Sequence, residues 1–116
     1  MRASRPFLKG LALVALVLGT LGTAASAAAA DVSAGRAKSM QCAVCHGPQG
    51  IATLPEAPNL AGQNEIYLVK ALNDFKSGAR TNEMMTMMVA NLSEADIENL
   101  AAYYQSIEIV VKAPDQ

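Results

Sequence analysis

The sequence predicts a small all-α domain, and two amphipathic stretches support that prediction. Between residues 64 and 76, apolar side chains recur at positions i, i+4 and i+7, as Leu68, Leu72 and Phe75. A second stretch of helical spacing covers residues 93 to 106 near the C-terminus. Repeats of this kind place apolar groups on one face of a helix. We therefore expect several short helices that share one core.

The first part of the chain contains one predicted helix and one loop. A short helix is expected from Val32 to Gln41, with Ser33 as its N-cap, and it runs directly into a pair of cysteines. Residues 47–62 hold three of the five prolines and three glycines, and they show no sustained periodicity. Such a composition is typical of a loop.

The second part contains the two amphipathic helices and a segment rich in methionine. The helix over residues 64–76 is expected to stop at Gly78. Residues 82–91 carry the methionines. Ser93, followed three residues later by Asp96, has the spacing of a capping box and opens the last helix. The tail over residues 107–111 alternates weakly, which predicts a short extended segment.

The N-terminus has the layout of a secretory signal peptide. Three basic residues precede an apolar run from Leu11 to Leu21, and small residues follow up to Ala30. The apolar run is shorter than the roughly 20 residues that a membrane-spanning helix needs. We therefore expect residues 1–30 to be a leader that is cleaved between Ala27 and Asp31, and we disfavour an uncleaved membrane anchor.

Residues 31–116 are then expected to form one acidic domain. They contain six basic and ten acidic residues, which gives a formal charge of −4 and argues against a nucleic-acid partner. A domain of this size buries a modest share of its surface and gains from a stabilising cofactor. The chain has no tryptophan, and only 4% of its residues are aromatic. This composition fits a core that a large apolar cofactor completes.

The two cysteines and the one histidine of the chain stand together as Cys42-Ala-Val-Cys45-His46. A c-type haem requires two thiols for thioether bonds and an imidazole as an axial iron ligand. A structural zinc site needs four ligands, and a thioredoxin-like dithiol needs a βαβ pattern that is missing here. A plain disulfide is a further alternative in an exported protein. The motif favours one covalently attached haem c, bound through both cysteines and with His46 on the iron.

In their order along the chain, these motifs resemble those of a class I cytochrome c. The similarity is to the small soluble bacterial monohaem type, which also resembles one lobe of the dihaem periplasmic cytochromes c. It implies an all-α class I cytochrome c fold, with three to five short helices wrapped around one covalently bound haem. The matching segments are Gly35, Cys42-Ala-Val-Cys45-His46-Gly47, Pro58-Asn-Leu-Ala-Gly-Gln63, Gly78-Ala-Arg80, Leu92-Ser93 and Leu100-Ala-Ala-Tyr103.

The resemblance also implies roles for four residues outside the cysteine motif. The carbonyl of Pro58 would accept a hydrogen bond from His46 and so fix the imidazole ring behind the iron. Gly35 and Tyr103 would lie where the first and last helices cross. Arg80 would contact a haem propionate. The plainer alternatives are an ordinary loop proline at position 58 and a solvated charge at position 80.

The second axial position of the iron needs a donor other than histidine. Four methionines stand close together in Met84-Met85-Thr86-Met87-Met88, and a thioether sulfur is a soft donor that favours reduced iron. In the family, the ligating methionine lies seven residues before the apolar residue that introduces the last helix, here Leu92. This spacing selects Met85, with Met84 as runner-up. Core packing is the alternative role for methionines in this cluster, and Cu(I) binding is a further one.

With both axial positions filled, the iron has no place for a substrate, so we expect an electron carrier and not an enzyme. The resemblance implies a periplasmic protein of a respiratory chain. It would pass one electron from a respiratory or dehydrogenase donor to a terminal acceptor such as a haem-copper oxidase. We expect a monomer that docks transiently with these redox proteins at its haem edge and meets membranes only through them.

Two other functions stay open at this point. In one, the chain is the cytochrome subunit of a larger dehydrogenase complex. In the other, the methionine does not bind the iron, and the haem binds a gas or a peroxide.

Overall fold

Residues 29–114 are described by the computed structural model, and within that range the chain is helical and has no β-strand. A 3₁₀ turn at Ser39–Gln41 joins α1 to α2. The all-α prediction is confirmed. The helices are α1 (Val32–Lys38), α2 (Ala43–His46), α3 (Glu65–Ser77), α4 (Glu83–Val89) and α5 (Glu94–Gln105).

The predicted leader falls almost wholly outside the described residues, so its cleavage and the domain boundary at residue 31 stay predictions. In the part of the chain that the structure describes, no helix has both the length and the apolar character needed to cross a membrane.

Helix α1 begins at Val32 as predicted, but its N-cap lies two residues before the predicted one. The predicted cap, Ser33, is wrong: Asp31 caps the helix, and its carboxylate accepts hydrogen bonds from the backbone N–H groups of Ser33, at 2.8 Å, and Ala34, at 3.1 Å. A carboxylate is a good cap because it also interacts favourably with the positive end of the helix dipole. The helix ends at Lys38, and the last three residues of the predicted span tighten into the 3₁₀ turn.

Helix α3 stops at the predicted glycine, and helix α5 opens with the predicted capping box. Asn64 accepts a hydrogen bond from the Tyr67 backbone N–H at 3.2 Å, and Gly78 ends α3 with a φ of 80°. Ser93 and Asp96 form a complete capping box, in which each side chain accepts a hydrogen bond from the backbone of the other. Both predicted helices are therefore confirmed to within one residue at each end.

The methionine segment forms a helix that the sequence did not assign. Asn82 opens α4 by accepting a hydrogen bond from the Met85 backbone N–H at 3.0 Å. After α5, residues 107–114 are irregular and make no strand pairing. The weak alternation of the tail therefore does not give a β-strand.

The first and last helices cross at a glycine. A Cβ atom on Gly35 would lie 1.9 Å from the backbone oxygen of Asn99 and 2.9 Å from the Cβ of Tyr103, so only glycine permits this approach. The backbone N–H of Asp31 also donates to the Asn99 side chain at 2.6 Å. The crossing of Gly35 and Tyr103 implied by the resemblance is confirmed, and it fixes α5 against the segment that carries the cysteines.

Candidate cofactor site

A cavity of about 690 Å³ lies between α2, the loop over residues 47–62, and the three later helices. This volume falls within the roughly 300–1,000 Å³ typical of small-molecule and cofactor sites. Its walls are largely apolar, and the charged side chains among them are those of Glu56 and Arg80. A large apolar group with a few charged substituents fits such a lining.

Helix α2 brings the three motif residues to one wall of the cavity. Cys42, Cys45 and His46 stand at positions i, i+3 and i+4, which share one face of a helix. All three line the cavity, His46 is buried, and the intervening Val44 is 77% exposed. The single turn is closed by a hydrogen bond of 3.0 Å from the His46 backbone N–H to the Cys42 carbonyl. The short spacing between the cysteines therefore serves to direct both thiols and the imidazole into the same space.

The imidazole of His46 is held from behind by the loop. Its Nδ1 lies 2.8 Å from the Pro58 carbonyl oxygen, at the position that the resemblance implies. Because a carbonyl only accepts, Nδ1 carries the proton, and Nε2 is left as the nitrogen that can bind a metal. The loop itself is anchored at Gly50, whose carbonyl accepts hydrogen bonds from the backbone of Leu60, at 2.7 Å, and Ala61, at 3.0 Å. The hydrogen bond between His46 and Pro58 therefore fixes the plane of the imidazole ring relative to the cavity.

The four clustered methionines occupy different environments on α4. Met85 is half-buried, lines the cavity and packs against the hydrophobic core. Met84 also reaches the cavity but is 53% exposed. Met88 is half-buried and lines the cavity as well, whereas Met87 is 59% exposed and lies outside its lining. The structure thus brings a thioether to the same cavity as His46, and burial favours Met85 over Met84.

Arg80 lies at the cavity wall in a defined position. Its guanidinium carbon is 4.6 Å from the centroid of the Phe75 ring, a cation–π contact that holds the side chain against the core. The stacked geometry leaves the N–H edge of the guanidinium available to an anion. This placement is compatible with a propionate contact.

Tyr104 is a cavity residue whose part the sequence did not reveal. It lies on the buried face of α5 and lines the same cavity as Cys42. Burial raises the pKa of the Cys42 thiol, and the Tyr104 side chain partly opposes that rise. Burial also raises the pKa of the Tyr104 hydroxyl. A tyrosine in place of an aliphatic residue on a buried face was the one available signal.

The family model for cytochrome c matches residues 32–108. The chain belongs to the cytochrome c family. It is a class I cytochrome c, and its cofactor is covalent haem c. The donor set of two thiols and an imidazole on one cavity wall is the set that this cofactor requires.

Sequence relatives include one short cytochrome and several longer proteins. The chain is 45% identical to a cytochrome c4 of Pseudomonas aeruginosa over 89% of its own length, but it spans only 51% of that protein. It is 40% identical to cytochrome c-554(548) of Halomonas halodenitrificans, over 67% of its own length and 98% of that protein. A thiosulfate dehydrogenase electron acceptor of Thiomonas intermedia is 39% identical over 68% of the chain and 37% of that protein.

A solved structure supports the same fold. Cytochrome c4 of Acidithiobacillus ferrooxidans superposes with a TM-score of 0.63 at 29% identity, over 72% of this chain and 53% of that one. The cytochrome thus spans about half the length of the cytochrome c4 proteins that it matches.

The hydrogen bond between His46 and Pro58 predicts a slowly exchanging ring proton. In the reduced holoprotein, the Nδ1 proton of His46 should be observable by NMR at neutral pH. Pro58→Gly keeps the carbonyl but frees the backbone. If about 1 kcal/mol of hydrogen-bond strength is lost, exchange should be roughly fivefold faster.

The matched control is Pro55→Gly, because Pro55 is exposed in the same loop and is not part of the cavity wall. This variant should leave the exchange rate unchanged. Equal rates in the Pro58 variant and the wild type would show that the loop does not hold the imidazole.

Proposed function

We propose that this cytochrome carries single electrons between redox proteins, with its haem attached through Cys42 and Cys45 and its iron bound by His46 and Met85. The observation that supports this most directly is that His46, held by Pro58, and the half-buried Met85 belong to different helices and line one cavity. Haem iron supplies a one-electron centre when it is bound. The rest of the function falls to the protein around it.

The residues of the chain suit an electron carrier because they bind, orient and exclude water. His46 is kept in one tautomer and one orientation by the Pro58 carbonyl. Met85 provides a soft sulfur, which stabilises reduced iron and raises the reduction potential. The apolar walls from α3 and α5 give a low-dielectric surrounding, and Arg80 at the rim is placed to pair with a propionate. Two protein ligands leave no iron position for a substrate, so we propose a carrier and not an enzyme.

We place the protein in the periplasm, since its first 30 residues have the layout of a leader and thioether-bound haem is compatible with export. Its partners would then be respiratory redox proteins, such as an oxidase or a dehydrogenase, that dock transiently at the haem edge. The exposed apolar side chains beside the cavity, Val44, Leu54 and Met84, suit a small and short-lived contact.

A replacement of Met85 tests the ligation. In Met85→Ala, the near-infrared band from sulfur to oxidised iron should disappear, and the reduction potential should fall, because the soft ligand is lost. The reduced variant should also bind carbon monoxide readily at neutral pH, whereas the wild type should not. Absorption spectroscopy of the purified holoprotein and a redox titration measure these changes.

Met84→Ala and Met87→Ala are the matched controls, because both side chains lie on α4 and are more than half exposed. Both should keep the band and the potential. A band that survives in Met85→Ala but is lost in Met84→Ala or Met88→Ala would move the ligand. If the reduced wild type binds carbon monoxide readily at neutral pH, that result would instead favour a gas- or peroxide-binding haem protein.

A second candidate function is that of a cytochrome subunit in a dehydrogenase complex. The relative from Thiomonas intermedia, which is named as the electron acceptor of a thiosulfate dehydrogenase, favours it. Affinity purification of the tagged protein from its native host separates the two functions. A free carrier should be recovered alone, and a subunit should be recovered with a dehydrogenase at a fixed stoichiometric ratio.

A further inference from the structure

The methionine segment, residues 82–91, is flanked by two attachments to the last turn of α3. On its N-terminal side, the backbone N–H of Arg80 donates to the Asp74 carbonyl at 2.9 Å. On its C-terminal side, the ammonium group of Lys76 donates to the carbonyl oxygen of Leu92. Both acceptor and donor on α3 stand just before the helix ends. The segment is therefore held at both ends by one helix terminus.

The direction of the Lys76 side chain needs an explanation beyond its place on the helix. A lysine in the last turn interacts favourably with the helix dipole, but this effect requires no particular partner. Lys76 is not part of the cavity wall, so contact with the cofactor does not account for its direction. Its hydrogen bond joins residues 16 positions apart, and the charged donor makes it stronger than a bond between neutral groups. The contact of Lys76 with Leu92 is therefore a tertiary link between α3 and the end of the methionine segment.

Leu92 connects this link to the face of α4 that carries Met85. Leu92 is 5% exposed, and its backbone N–H donates to the Val89 carbonyl at 3.0 Å, which forms a tight turn after the helix. Val89 is 1% exposed and stands four residues after Met85, so the two side chains share one face of α4. Both line the cavity. The position of the Met85 sulfur therefore depends on the turn that Lys76 holds.

We propose that Lys76 is a positioning residue whose hydrogen bond to the Leu92 carbonyl keeps the methionine segment closed and the Met85 sulfur in place as an iron ligand. The inference rests on the proposed ligation by Met85. Lys76 acts through the backbone of Leu92 and Val89 and not through contact with the cofactor. Without the ammonium group, the Leu92 carbonyl loses its charged donor. The methionine segment then opens more often.

The test is the rate at which imidazole binds to the oxidised holoprotein. An imidazole nitrogen takes the place of the Met85 sulfur only when the methionine segment opens, and this exchange of ligands needs no oxidant or reductant. Lys76→Gln keeps a polar, unbranched side chain but removes the charge and shortens the reach. We expect imidazole to bind at least about fivefold faster than in wild type, the factor expected from the loss of one hydrogen bond. Stopped-flow absorption spectroscopy measures the rate.

Lys70→Gln is the matched control, because the Lys70 side chain is 73% exposed and pairs with Asp74 within α3. This variant should bind imidazole at the wild-type rate. Lys76→Arg, which restores a charged donor, should stay closer to wild type than Lys76→Gln. An unchanged rate in Lys76→Gln, or an equal acceleration in Lys70→Gln, would overturn the proposal.

A comparison in the Met85→Ala background separates positioning of Met85 from a general loosening of the fold. With no sulfur to displace, adding Lys76→Gln should leave the rate of imidazole binding unchanged. An acceleration that persists in this background would show that Lys76 controls access to the cavity, which contradicts the proposal. If the oxidised wild type lacks the near-infrared band from sulfur to iron, the proposed ligation itself fails, and the inference fails with it. A wild type that has the band, with a rate that Lys76→Gln does not change, contradicts the inference alone.

Discussion

Filling the central cavity is the physical requirement on which the rest of the fold depends. Of the nine buried apolar residues in the described part of the chain, seven line this cavity. Apolar burial contributes about 25 cal/mol per Å² of surface removed from water. The cavity wall also includes exposed apolar side chains, such as Val44, Leu54 and Met84, whose surface a large apolar group in the cavity would cover. The other two, Ala61 and Ile97, are buried outside the cavity lining. The haem is therefore best understood as the largest component of the hydrophobic core.

This requirement explains why a long loop without regular structure is well fixed. The loop over residues 47–62 supplies the Pro58 carbonyl that orients His46. Within the loop, the Gly50 carbonyl accepts hydrogen bonds from the backbone N–H groups of Leu60 and Ala61. Its end is tied to α5 through the carbonyl of Tyr104. The loop, helix α2 and the last helix thus form one connected unit. Orientation of the His46 imidazole depends on that unit and not on α2 alone.

The sequence predicted those parts of the structure that depend on local chemistry. The spacing of Cys42, Cys45 and His46 is a property of one helical turn, and the glycine stop at Gly78 and the capping box at Ser93 are local signals as well. Other features depend on choices between near-equivalent groups. Asp31 outcompetes Ser33 as a cap because its carboxylate reaches two backbone N–H groups. The helix through the methionines and the place of Tyr104 in the same cavity wall as Cys42 depend on tertiary packing, which periodicity does not encode.

The most direct test of this account is to remove covalent attachment and ask whether the chain still folds. Cys42→Ala together with Cys45→Ala eliminates both proposed thioethers and leaves every helix cap in place. We predict that the resulting haem-free chain loses most of its helical circular dichroism and its cooperative thermal transition. A haem-free chain that keeps native helicity and unfolds cooperatively near the temperature of the holoprotein would contradict the claim that the cofactor is the centre of the core.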